Sequence, residues 1–183
     1  RTNSNLPNNI VKAILPDGDS IWLGTEDGLA VYQIKNGTID LFLDQNFSNS
    51  TLSCTNITCV ARDHRNRVWV GTVKGLNIID FENQTIKKLF KNDHGETGLP
   101  DNHINGVFNM GIGMWIGTDK GFCYYFPEND SFVMYNQFSP KGLSNRLTSR
   151  IIEDRNGYLW VGTTEIGLNR VNPETGEVNQ YFE

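Results

Sequence analysis

The chain has 183 residues, of which 38% are apolar and 11% aromatic, so it is long enough and apolar enough to bury the core of a folded domain. Its formal net charge of -5 argues against a nucleic acid partner, because phosphate groups are bound by clustered Lys and Arg. No run approaches the roughly 20 apolar residues that span a bilayer, and the N-terminus lacks the apolar core of a signal peptide, so we expect a soluble segment without membrane contact of its own.

The beginning of the chain predicts four short β-strands in succession. Extended, apolar runs cover residues 9–15, 20–25, 29–34 and 38–43, and turn residues separate them. No segment of the chain shows apolar residues at a sustained helical period, and Gly, Asn, Asp or Pro interrupts every window longer than about eight residues. The pattern therefore predicts strands and not helices.

The motif WLGTEDGL begins in the second of these strands, at Trp22, and returns three times along the chain. It recurs as WVGTVKGL from Trp69, WIGTDKGF from Trp115 and WVGTTEIGL from Trp160, at intervals of 45 to 47 residues. A Leu followed by Pro or Ser precedes each Trp by 16 or 17 residues, at Leu6, Leu52, Leu99 and Leu143. A fixed period of this length indicates a repeat architecture.

Each repeat predicts the same four strands. In the last repeat, extended runs begin at Leu147, Tyr158, Leu168 and Val178, with turn residues such as RNG and PETGE between them. A tandem four-stranded meander of this length is typical of a β-propeller blade. The predicted fold class is therefore all-β, with four propeller blades at approximately residues 6–51, 52–98, 99–142 and 143–183, as a fragment of a larger propeller.

The Trp-x-Gly-Thr motif is interpreted as a packing unit. Alternation along a strand places the Trp and the Gly on one face of the sheet, and a mid-strand Gly marks close approach by another group, here a large side chain of the adjacent blade. We therefore expect an interlock between blades, and expect Trp160→Ala to weaken folding by several kcal/mol. The glycines of the following turn are expected to take positive φ. The motif residues are Trp22 and Gly24, Trp69 and Gly71, Trp115 and Gly117, and Trp160 and Gly162, and the turn glycines are Gly28, Gly75, Gly121 and Gly167.

Residues 142–168, GLSNRLTSRIIEDRNGYLWVGTTEIGL, closely resemble the two-component regulator propeller repeat, whose pattern includes Asp-x-x-Gly-x-Leu-Trp-Ile/Val-Gly-Thr-x-x-Gly-Leu. The resemblance extends over all four units. It implies the periplasmic sensor region of a Bacteroides-type hybrid two-component histidine kinase, in which such repeats typically detect oligosaccharides and the kinase activity lies in domains outside this chain. The third unit departs from the pattern, with NMGIGMW from Asn109 where the Asp-x-x-Gly turn is expected.

A ligand site is expected where propeller geometry brings two kinds of loop to one face, those from fourth to first strands and those from second to third strands. Side chains there align from repeat to repeat yet differ in type, unlike the tryptophans. Amide, imidazole and guanidinium groups suit sugar hydroxyls or uronic acid carboxylates, although the same groups can serve only to cap strand ends. The candidate ligand-binding residues are Asn9, Thr55, Asn102 and Arg146, with Asn56, His103, Asn105 and Arg150 close by.

No catalytic residue, cofactor or metal site is predicted. The three Cys lack the paired spacing of zinc ligands, and no Ser, Cys or carboxylate has a visible partnership with the three His. Acid and base groups for glycoside cleavage can come from residues remote in sequence, so a propeller hydrolase or lyase acting on sugars stays open as an alternative. A structural scaffold for dimerisation is another, and self-association is expected because four blades can leave apolar end faces open.

Overall fold

The computed structural model describes residues 5–42, 47, 51–92, 98–110, 113–135, 148–163, 167–173, 175 and 177–181. These residues form sixteen β-strands in four antiparallel four-stranded meanders, and no helix is found among them. The chain divides into two compact units, Arg1–Leu89 and Phe90–Glu183, with two meanders in each. The all-β fold class and the four tandem meanders that the sequence predicted are thus confirmed.

The strands of each meander pair in chain order. The first meander contains β1 (Val11–Asp17), β2 (Ser20–Thr25), β3 (Gly28–Gln33) and β4 (Thr38–Leu41), and the second contains β5 (Ile57–Arg62), β6 (Val68–Thr72), β7 (Gly75–Asp80) and β8 (Thr85–Leu89). The third contains β9 (Ile104–Met110), β10 (Gly113–Thr118), β11 (Gly121–Phe126) and β12 (Ser131–Tyr135), and the fourth contains β13 (Thr148–Glu153), β14 (Leu159–Thr163), β15 (Leu168–Val171) and β16 (Val178–Tyr181).

The strands that carry Trp-x-Gly-Thr are central to the packing. Trp22, Trp69 and Trp115 are buried, and so is every residue of β6 and β10. A Cβ atom added to Gly24 would lie only 2.6 Å from Cγ2 of Ile57, which belongs to the next meander. The expected close approach of a neighbouring blade is confirmed at this position, because only Gly leaves room for that Ile.

The turn after each of these strands also has the expected backbone. The four turn glycines have φ angles of 149°, 131°, 121° and 69° at Gly28, Gly75, Gly121 and Gly167. A side chain is disfavoured at such angles. The turn after Trp-x-Gly-Thr therefore requires Gly at this position in each repeat.

Three of the four Trp rings are anchored by a carboxylate of the same hairpin. The indole Nε1 atoms donate to Asp Oδ2 at 2.9 Å in each case, in the pairs Trp22 with Asp17, Trp69 with Asp63, and Trp160 with Asp154. The Oδ1 atoms of Asp63 and Asp154 accept backbone N–H groups of the hairpin turn. One carboxylate therefore joins the turn to the ring. The third meander has Met110 at the corresponding position.

Each unit has its own apolar core. In the first unit, Trp22 of the first meander clusters with Ile57 and other buried side chains of the second. In the second unit, Trp115 of the third meander clusters with Ile151 and other buried side chains of the fourth. Consecutive meanders within a unit therefore share one core.

Candidate functional site

The two edges of each meander differ in the segments that form them. The residues before the first strand and the turn between the second and third strands lie at one edge, which we call the loop edge. It comprises residues 8–12 and 25–28 in the first meander, and residues 101–105 and 118–121 in the third. The turns between the first and second strands and between the third and fourth strands form the opposite edge, the turn edge.

A β-bulge lies at the loop edge of each meander, where the first strand pairs with the second. The register skips Lys12 in the first meander and Asn105 in the third. A bulge redirects the side chain of the extra residue and ends regular pairing. Lys12 and Asn105 therefore occupy equivalent positions that are set apart from the regular sheet.

The Thr of Trp-x-Gly-Thr fixes the turn beside this bulge. Oγ1 of Thr25 donates to the carbonyl oxygen of Gly28 and accepts the N–H of Asp27. Thr72 and Thr118 make the same two bonds in their meanders. The turn is thus held in one conformation next to the bulged residue.

Lys12 is the centre of a polar cluster in the first unit. Its Nζ atom lies 2.8 Å from Oε1 of Glu26 and donates to Oδ1 of Asn56 at 3.1 Å. The side chains of Lys12 and Glu26 are 33% and 34% exposed, so a ligand can reach both. Asn56 is a candidate from the sequence, whereas Lys12 and Glu26 are not. A charged residue near a strand end gives no signal in the sequence that the strand bulges there.

His103 and Asn105 converge on one carboxylate in the second unit. Nδ1 of His103 lies 2.8 Å from Oδ2 of Asp119, and Nδ2 of Asn105 donates to Oδ1 of the same residue at 3.0 Å. His103 and Asp119 are about 40% exposed, at 41% and 40%. The structure thus brings two of the sequence candidates together through Asp119, which the sequence analysis did not select.

Asp101 supports this second cluster from the segment before β9. Its carboxylate accepts the backbone N–H of His103 at 3.0 Å and lies 2.9 Å from Nζ of Lys120. Burial raises the pKa of Asp101, but the His103 N–H, Lys120 and the charge of Lys91 outweigh burial and hold it below its ordinary value. Asp101 is therefore a negatively charged anchor of the loop at neutral pH.

The remaining candidates have different surroundings. Asn102 accepts the backbone N–H of Lys91 at 2.7 Å, which matches the alternative of a group that caps a strand end. Asn9 and Thr55 are exposed at the loop edges of the first two meanders. Arg146 lies outside the described residues, and only the backbone of Arg150 is described, within β13.

A family model described as two component regulator propeller matches residues 5–27, 51–74 and 142–165. Each segment includes the first two strands of a meander, in the first, second and fourth meanders. Three of the four repeats are thus similar to the two-component regulator propeller repeat. The third propeller repeat, with Met110 in place of the Asp, is outside the matched segments.

Solved structures and a curated protein are similar to these propeller repeats. The extracellular domain of a proposed hybrid two-component system of Bacteroides thetaiotaomicron is 24% identical, with a TM-score of 0.84 over 97% of this chain and 25% of that chain. The extracellular domain of a proposed one-component system of the same organism is 23% identical, with a TM-score of 0.78 over 100% of this chain and 23% of that chain. Histidine kinase P4 of Formosa agariphila is 26% identical over 93 residues, which is 48% of this chain and 7% of that protein. The chain thus spans at most a quarter of the length of these relatives, and the structural similarity shows a shared fold.

Equivalent loop-edge positions of the propeller repeats carry different chemistry. In the first repeat, the Asn8 amide donates a hydrogen bond to the Asp27 carboxylate. The corresponding positions of the third repeat carry the ion pair of Asp101 and Lys120. The ion pair of Lys12 and Glu26 in the first repeat corresponds to the hydrogen bond from Asn105 to Asp119 in the third. The frame of the turn is shared, while the polar groups on it vary from repeat to repeat.

Two features are absent from the part of the chain that the structure describes. No group of three or more His, Cys, Asp or Glu side chains there could hold a metal ion. The same residues include no helix long and apolar enough to cross a membrane.

Proposed function

We propose that this chain is a ligand-sensing segment of a periplasmic two-component sensor, which recognises an oligosaccharide and signals to a histidine kinase outside the chain. The observation that supports the proposal is the pair of loop-edge clusters at equivalent positions of two repeats. The first of these repeats matches the two-component regulator propeller model, and the third has the same four-stranded meander. The role proposed for the chain is binding and not catalysis.

The chemistry of the clusters supports a sugar ligand. Ammonium and amide groups donate hydrogen bonds, carboxylate and amide oxygens accept them, and imidazole can do either, so a hydroxyl can be bound in both of its roles. The side chains of Lys12, Glu26, His103 and Asp119 are between 33% and 41% exposed. They are therefore held in place by their partners and still accessible to a ligand.

The test is a calorimetric titration of the complete sensor region with plant and host oligosaccharides. We expect Lys12→Ala or His103→Ala to weaken binding about tenfold, which corresponds to about 1.4 kcal/mol. Lys35→Ala is the matched control, because Lys35 is exposed in the turn between β3 and β4, at the turn edge. Absence of binding to every oligosaccharide would remove the proposed ligand, and binding unaffected by either variant would remove the loop edge as its site.

One observation favours an enzyme as a second candidate function, a sugar hydrolase or lyase. An imidazole held by a carboxylate can act as a general base, and His103 and Asp119 have that arrangement at 2.8 Å. Incubation of the complete sensor region with the same oligosaccharides should then release new reducing ends or unsaturated products. The His103→Ala variant should release neither. Oligosaccharides recovered unchanged after prolonged incubation would exclude this candidate.

We also propose that the chain self-associates through apolar sheet faces, as a dimerisation scaffold requires. Ile14 and Ile152 are each 65% exposed. Ile151, at the repeat position of Ile14, is only 1% exposed, and Ala61, at the repeat position of Ile152, is 9% exposed. Sedimentation of the purified chain should show a dimer or a larger species, and Ile14→Ser should shift it towards the monomer. A strict monomer at high concentration would contradict the proposal.

A further inference from the structure

A cleft with a volume of about 550 Å³ lies between the third and fourth meanders, within the second unit. Its residues include the ends of β9, β11 and β13, so it belongs mainly to the turn edge, opposite the clusters described above. Aromatic and apolar side chains line it, among them Met110, Trp115, Tyr124, Phe126 and Tyr135. Its size and lining are those of sites that bind small molecules.

The cleft occurs where the indole-carboxylate bond of the repeat is missing. Trp115 is 2% exposed, and Met110 stands where the other three repeats have the Asp that accepts from the Trp. Within the described ranges, Nε1 of Trp115 therefore has no acceptor. Trp115 lines the cleft, and its Nε1 atom is not among the fully buried donors that lack a partner in the described part of the chain. The indole N–H is therefore accessible from the cleft, where an acceptor supplied by a ligand can bind it.

A second donor and an acceptor are near this indole. The ring of Tyr135 lies 5.2 Å from that of Trp115, and none of the described residues forms a hydrogen bond with its hydroxyl group. Burial raises the pKa of Tyr135, so its hydroxyl keeps its proton at neutral pH. The Tyr124 hydroxyl is already used, because it donates to the Met110 carbonyl oxygen at 2.9 Å. Glu153 lines the cleft and is exposed, which provides an acceptor at its rim.

The equivalent cleft of the first unit lacks this combination. It has a volume of about 500 Å³ and is lined by Trp22 and Asp17. The indole N–H of Trp22 donates to that carboxylate, and Phe42 and Phe81 lie 5.9 and 5.7 Å from the indole ring. The unit therefore provides an internal comparison, a similar aromatic cleft whose indole donor is satisfied.

We propose that the cleft of the second unit binds an uncharged ring that carries at least one hydroxyl group, a phenol or a sugar ring. The aromatic walls contact the apolar face of the ring, while Trp115 and Tyr135 donate to its oxygen and Glu153 accepts from it. A negatively charged ligand is disfavoured by Glu153, and a ring without oxygen leaves both donors unsatisfied. The site is separate from the loop edge, so it does not depend on the oligosaccharide proposed above.

The test uses the four indole N–H signals in ¹⁵N-edited spectra of the chain, assigned with single Trp→Phe variants. We expect p-cresol or methyl β-D-glucopyranoside to shift the Trp115 signal while the other three stay in place. Toluene is the control for p-cresol because it has the same ring without the hydroxyl. A response to p-cresol alone identifies a phenol, and a response to the glucoside alone identifies a sugar. Absence of any Trp115 shift, or toluene binding as tightly as p-cresol, would overturn the proposal.

Variants of Met110 connect binding to the missing carboxylate. Met110→Asp restores the residue of the other repeats, so it should occupy the indole N–H and weaken probe binding at least tenfold. Met110→Leu keeps the side chain apolar and should bind as the native chain does. Tyr135→Phe retains the ring and loses one donor, so it should also weaken binding and serves if Met110→Asp fails to fold. Probe affinity unchanged in folded Met110→Asp or in Tyr135→Phe would contradict the proposed contacts.

Discussion

Trp69→Ala is expected to lower the free energy of unfolding by about 3–5 kcal/mol, the range measured when large buried rings are removed from a core. Trp69 has no exposed surface, and both strand neighbours, Val68 and Val70, are fully buried as well. Removal of the ring leaves a cavity, and Val68 and Val70 cannot fill it because successive side chains of a strand point to opposite faces of the sheet. It also leaves the Asp63 carboxylate without the indole donor that lies 2.9 Å away.

Urea denaturation of the native chain and the variant, followed by circular dichroism, measures this loss. Trp160→Ala is the matched comparison, because Trp160 has the same motif position and the same bond to an Asp. The Trp160 ring is only partly buried, however, and it stacks on the Tyr181 ring with 5.6 Å between the ring centroids. The sequence alone led us to expect a large loss at Trp160, and the structure reduces that expectation. A larger loss in Trp160→Ala than in Trp69→Ala would contradict this interpretation.

The strands and their order could be predicted because each is bounded by residues that cannot continue it. The run predicted at residues 20–25 is β2, Ser20–Thr25, and the run predicted from Leu168 begins β15. Four copies of one pattern supplied four independent estimates of the same turns. The fold class therefore followed from local chemistry and from the period of the repeat.

The anchoring of the Trp rings could not be derived in this way. In the sequence, Asp17, Asp63 and Asp154 lie in the first hairpin turn of their repeats, where Asp is typical because its side chain bonds backbone N–H groups. The second carboxylate oxygen reaches an indole five or six residues later. That bond depends on how the hairpin twists, and the spacing of residues in the sequence does not give the twist.

Only part of the candidate site could be predicted, because strand pairing also decides which side chains meet there. His103 and Asn105 were selected because they vary at aligned positions, but Asp119, which both contact, is separated from them by a complete hairpin. Lys12 was missed because its position depends on a bulge that changes the register by one residue. Alignment of repeats finds the edge where function can vary, whereas the pairing of strands decides which side chains meet there.

The second large effect is expected from Asp63→Ala, about 3–5 kcal/mol, because one member of a buried ion pair is removed. Asp63 is 3% exposed. Its carboxylate accepts from the backbone N–H groups of Arg65 and Arg67, from Nε of Arg67 and from the indole of Trp69. Ala leaves these donors without their acceptor and leaves the Arg67 charge, which is 16% exposed, without its counter-ion.

Asp154→Ala is the control for Asp63→Ala, because Asp154 makes the corresponding bonds to its turn and to Trp160 at a more exposed position. The Trp160 indole, with the N–H groups of Asn156 and Tyr158, lowers the pKa of Asp154 despite an opposing effect of desolvation. The stabilisation by this carboxylate should therefore be complete above its ordinary pKa and disappear as the pH falls through the lowered value of the folded chain. Urea denaturation at neutral pH should show a larger loss for Asp63→Ala than for Asp154→Ala, since burial and not the number of bonds sets the cost. Equal losses in the two variants would mean that the turn, and not the buried ion pair, accounts for the effect.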